Sequence, residues 1–151
     1  MLNGIIALNN LEYSKLQSLD THAHSAAKTY PELAASITLT KGSGAWAAYP
    51  SSKTEIVPVN TITSVFDIHG ISVDTISANG NYTITLYSGT AGNEVAIGVR
   101  SFTRTAASTD SPYVFFQTPK QAANTRISAA ISSANAGTNT CNIKIDYHVY
   151  S

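Results

Sequence analysis

The stretch Asn79-Gly80-Asn81-Tyr82-Thr83-Ile84-Thr85-Leu86-Tyr87-Ser88-Gly89-Thr90-Ala91-Gly92-Asn93-Glu94-Val95-Ala96-Ile97-Gly98-Val99 decides the fold. It opens on Asn79-Gly80, a dipeptide that tolerates the positive φ of a tight turn. Tyr82, Ile84 and Leu86 then alternate with Thr83, Thr85 and Tyr87. Period two is the signature of a strand whose two faces meet different surroundings. Residues 88–93 are a second Gly-containing turn, after which Val95, Ile97 and Val99 resume the alternation. Strands joined this closely pair antiparallel, because a parallel pair needs a crossover of a dozen residues or more.

The same period recurs on both sides of this unit. Ile37 and Leu39 alternate with Thr38 and Thr40, and residues 54–57 read as a short edge strand stopped by Pro58. Residues 65–74 place Phe66 and Ile68 on one face, then Ile71 and Val73. The phase slips at Gly70, and a glycine inside a strand signals a bulge or a close backbone approach. Residues 113–118, the run Ile127, Ala129, Ile131, and the closing run Cys141, Ile143, Ile145, Tyr147, Val149 complete the set. In that last run Lys144, Asp146 and His148 face the other way. Seven or eight short strands predict an all-β fold, an antiparallel β-sandwich or jelly roll over residues 36–151. The absence of crossover helices in the pattern excludes a doubly wound α/β fold.

Residues 1–35 read differently, as a short helical or extended N-terminal arm. Leu8, Leu11, Leu16 and Leu19 form a narrow helical stripe, Asn9 stands three residues before Glu12 as a weak cap, and Pro31 ends any helix. Such a segment is too short to be stable by itself and needs a surface to lie on.

Composition narrows the function. The chain has 151 residues, nine basic and nine acidic, so charged residues are only 12% of it, about half the globular average. A neutral balance argues against nucleic acid as a partner, which calls for a basic surface. No apolar run reaches the length of a membrane-spanning helix, and residues 1–8 lack the basic start of a secretory signal. Neither membrane nor nucleic acid is therefore an expected partner, and synthesis in a cytoplasm is the expectation. The lone Cys141 excludes an internal disulfide and a Cys-based zinc site, and its phase with Ile143 and Ile145 predicts burial.

Chemistry-bearing strings are few. Asp20-Thr21-His22-Ala23-His24 puts two imidazoles on one side of an extended segment and is similar to the first metal motif of amidohydrolases. That family requires a (β/α)8 barrel of about 250 residues, so the plainer reading is a polar stretch of the arm, with a metal-dependent hydrolase the remote option. Asp67-Ile68-His69 and Asp146-Tyr147-His148 each place a carboxylate and an imidazole on one strand face. Without a nucleophile or metal partner in the text, each reads as a hydrogen-bonded strand pair rather than an acid/base device. Gly42-Ser43-Gly44 is loop-like and is no nucleophile elbow, and no phosphate loop, EF-hand or dinucleotide fingerprint occurs. No catalytic residue, metal ligand or cofactor is assigned, and the chain is expected not to be an enzyme. Trp46 and Tyr49, in a Gly/Ala-rich loop, either cap the core or offer rings to a sugar or a partner's pocket. With Leu8, Leu11, Leu16 and Leu19 they form the candidate partner-binding set.

Three segments carry a resemblance: Pro58-Val59-Asn60-Thr61-Ile62-Thr63-Ser64-Val65-Phe66-Asp67-Ile68-His69, Gln117-Thr118-Pro119-Lys120-Gln121-Ala122-Ala123-Asn124-Thr125-Arg126-Ile127-Ser128-Ala129, and Ile145-Asp146-Tyr147-His148-Val149-Tyr150. Over residues 55–150 the chain resembles small β-sandwich virion proteins of tailed bacteriophages, of the capsid decoration or cement type. The resemblance implies a non-enzymatic structural protein on the capsid surface, assembled in the host cytoplasm. It also implies a homotrimer whose partners are the major capsid protein and its own copies. The alternative is a carbohydrate- or receptor-binding sandwich of a fibre or tail, using Trp46 and Tyr49 on a glycan.

Overall fold

A computed structural model describes residues 26–32, 34–46, 53–105 and 112–150. The strands are β1 (Lys28–Tyr30), β2 (Ile37–Thr40), β3 (Thr54–Val57), β4 (Val65–Ile76), β5 (Gly80–Ser88), β6 (Val95–Arg104), β7 (Tyr113–Phe115), β8 (Ile127–Ser133) and β9 (Thr140–Tyr150). They form two antiparallel sheets packed face to face, a β-sandwich. In the first sheet β9 pairs with β4, and β4 with β7. Along the other edge of β9 lie β2, against residues 140–143, and β1, against residues 145–147. The second sheet has the order β3-β8-β5-β6.

The alternation of the sequence becomes the two faces of each sheet. Phe66, Ile68, Ile71 and Val73 of β4 point inward with Cys141, Ile143 and Ile145 of β9. They meet Tyr82, Ile84 and Leu86 of β5 and Ile127, Ala129 and Ile131 of β8, all essentially solvent-free. Each fully buried Ile or Leu contributes roughly 1.5–3 kcal/mol. Cys141 is buried as its phase predicts, and desolvation, with a lesser push from Asp74, raises its thiol to about 12.

The hairpin expected across residues 88–93 is present, with Ser88 opposite Val95. Thr54–Val57 is indeed an edge strand. The slip at Gly70 is both things its sequence suggested. The β4–β9 register shifts between Ile68 and Gly70, and a Cβ on Gly70 would fall on the ring of Tyr113. The turn read at Asn79-Gly80 is present and carries the chain from β4 in one sheet to β5 in the other, and Gly80 takes φ 149° with the Asn135 amide where its Cβ would lie. One feature differs from the sequence reading. Lys28–Tyr30, inside the stretch read as an arm, adds a strand to β9; three residues are too few to show a period. The Gly42-Ser43-Gly44 loop is pinned. The buried Lys41 ammonium donates to the carbonyls of Gly42 (2.9 Å), Gly44 (3.0 Å) and Gly137 (2.8 Å).

Candidate functional site

The outer face of the first sheet carries the polar side chains of β4 and β9, and there the two Asp-x-His pairs come together. Asp67 sits directly opposite His148, and Ile68 opposite Tyr147; the next aligned pair is Gly70 with Asp146. His69 is therefore the extra residue of the bulge. In a regular ladder it would stand across from Asp146. The bulge instead turns its ring toward His148, with Nε2 2.8 Å from His148 Nδ1 and ring centroids 3.8 Å apart. A bulge re-aims a side chain in just this manner.

Asp67 completes the group. Its Oδ2 accepts the Tyr150 hydroxyl at 2.7 Å. Its Oδ1 lies 3.0 Å from His69 Nε2 but off the hydrogen-bonding direction, so this buried oxygen has no donor. The hydrogen bond to the Asp67 carboxylate, then burial, pushes the Tyr150 phenol up to about 12. The Lys120 ammonium stands 3.8 Å over the Tyr150 ring. Residues 116–121 hold the other edge of β4: the amides of Phe116, Thr118 and Gln121 donate to the carbonyls of His69, Ile68 and Phe66, and Thr118 Oγ1 accepts from the Ile68 amide at 2.9 Å. Both edges of the bulge are thus fixed by backbone pairing.

Asp146 is drawn into different work. Its carboxylate accepts from Thr29 of β1 (2.7 Å) and Ser72 of β4 (3.2 Å), and it also engages the Tyr113 hydroxyl of β7. Burial first, then Asp146, raises that phenol above its ordinary range. One carboxylate so ties three strands to β9. Asp67 and His69 remain close as a pair, and the His148 ring comes alongside them.

The remaining candidates are placed as follows. Trp46 is 47% exposed with φ 44°, its amide anchored on Ser133 O at 2.8 Å, so its ring is presented to solvent rather than capping the core. Tyr49, Leu8, Leu11, Leu16, Leu19, His22 and His24 lie outside the described residues. Tyr147 is a core residue, edge-on to Phe66. At one side of the sandwich the terminal strands β6 and β7 lie together, linked by Arg100 Nε donating to Phe115 O at 3.2 Å. Apolar side chains point outward there: Phe115 is 75% exposed, Val95 67%, Val99 49% and Tyr113 44%. An apolar depression elsewhere is lined by Val59, Ala91, Asn124 and Thr125 among others.

No known protein family, curated protein or solved structure matches this chain. Among the described residues, no helix is long and apolar enough to cross a membrane.

Proposed function

We propose that the protein is a non-enzymatic structural component of a phage virion, a decoration or cement protein that binds the major capsid protein and its own copies. The observation that carries this reading is the side formed by β6 and β7, where Phe115, Val95 and Val99 are exposed on strand edges that no other described strand pairs. Exposed edge strands bearing large apolar side chains are self-associating surfaces unless something covers them. Low charge supports the same reading, since the surface of a chain with only 12% charged residues loses little solvation when a neighbour covers it. A trimer would use heterologous contacts, one patch against a different one on the next copy. Several weak contacts per assembly then add through effective concentration.

The test is rebinding. Capsids stripped of accessory proteins are mixed with increasing amounts of purified chain and sedimented. Binding that saturates at a fixed ratio to the major capsid protein supports the reading, and a chain left wholly in the supernatant as a monomer overturns it.

The exposed ring of Trp46 favours a second reading, a glycan-binding sandwich of a fibre or tail. That reading expects binding on a glycan array that Trp46→Ala abolishes, and no capsid binding.

A further inference from the structure

Independently of that reading, we infer that Asp67, His69 and His148 form a binding site for a divalent transition metal, Zn²⁺ being the ion that suits them best. The argument begins with protons. One ligand atom from each of Asp67, His69 and His148 lies within 4.8 Å of the other two. His69 Nε2 stands 3.0 Å from Asp67 Oδ1 and 2.8 Å from His148 Nδ1. With both rings neutral, one proton at most lies between the two facing nitrogens, because each imidazole carries a single N–H. If His148 Nδ1 holds it, His69 Nε2 turns a lone pair toward both neighbours. If His69 Nε2 holds it, the bond goes to His148. In both cases the buried carboxylate oxygen is left with no donor. Three convergent ligand atoms sharing at most one proton are poorly satisfied in a protein interior, and a cation that displaces that proton satisfies all three at once.

The dimensions agree. Zinc binds imidazole nitrogen at about 2.0–2.1 Å and carboxylate oxygen at about 2.0–2.2 Å. Two such donors on a tetrahedral ion are about 3.3–3.5 Å apart, so the 3.0 and 2.8 Å spacings beside His69 Nε2 need to open only by about half an ångström. Two imidazoles and one carboxylate select a borderline ion such as Zn²⁺ over Mg²⁺ or Ca²⁺, which prefer all-oxygen sets. The support expected around a metal is also present. Tyr150 donates to Asp67 Oδ2 and so keeps Oδ1 turned toward the rings, the outer hydrogen bond that ligating carboxylates characteristically receive. His69 is about one-third exposed at its side chain, which leaves an entry path and a fourth position for water. Bound there, the ion would clamp β4 to β9 across the bulge.

The experiment uses the full chain with His22→Ala and His24→Ala, so that the other two imidazoles contribute nothing. Metal-free protein is titrated with ZnCl₂ by calorimetry and, separately, with Co²⁺ followed by visible absorption. The expected result is one ion per chain, the intense ligand-field bands of a four-coordinate cobalt site, and a raised melting temperature. His148→Gln and His69→Gln are each expected to abolish saturable binding while circular dichroism stays that of a β protein. Should one of these fail to fold, the other carries the test. Absence of a saturable ion, or unchanged binding in either folded variant, overturns the site.

Discussion

Gly70 and Tyr113 show how a single position governs the sheet's outer face. The glycine is required not by its φ but by the ring lying on it, which a Cβ would strike. Gly70→Ala should therefore cost about 1–3 kcal/mol in denaturant unfolding, the usual range for overpacking. In a Tyr113→Ala background most of that cost should vanish, because the two positions share one contact. Glu94 provides a titration at the same scale. Lys53 foremost, then Arg126 and the Gly92 amide, hold its carboxyl down to about 2 against an ordinary 4.5. A depressed folded value means the stabilisation is complete above 4.5 and is lost as pH falls from there to about 2. Across that window the melting temperature of the wild type should fall more steeply than that of Glu94→Gln. Added salt should narrow the difference, since Lys53 is partly exposed.

At the scale of the element, strands were legible wherever one face is buried, because burial imposes period two. Residues 65–76, 80–88 and 140–150 carry that period over a buried face and are strands, whereas residues 95–104 are a strand whose alternating Val95 and Val99 stay exposed. What stayed hidden depended on partners distant in sequence. Asn79-Gly80 specifies a turn but not whether the chain re-enters the same sheet. The pairs Asp67–His69 and Asp146–His148 specify which side chains share a strand face. They do not reveal that β4 and β9 are neighbours, that Asp67 stands across from His148, or that the bulge brings His69 alongside. The signal that could have found the site was already in the sequence, in two Asp-x-His strings with a glycine directly after the first. Core and edge should respond oppositely to truncation. Ile143→Ala, fully buried in central β9, should lose about 2–5 kcal/mol. Phe115→Ala, three-quarters exposed on terminal β7, should change stability by less than about 0.5 kcal/mol yet weaken association. Equilibrium unfolding of the two variants, beside light scattering of the second, separates these effects.

At the scale of the whole molecule, the two sheets close over a continuous apolar core and end, on the β6/β7 side, in edges that no further described strand pairs. Neutral charge and exposed apolar edge residues are what the proposal of a protein that works by contact rests on. The proposed function was less legible than the fold for a physical reason. Adhesion needs no fixed constellation of reactive groups, so it leaves no motif, only a surface whose partner lies outside the chain. Hydrogen exchange reads that surface directly, because amides on an open strand edge exchange readily until a partner covers them. Comparing the free chain with capsid-bound chain, the account predicts slowed exchange at residues 95–104 and 113–115. Bound protein whose β6 and β7 amides exchange as fast as in the free chain would contradict it.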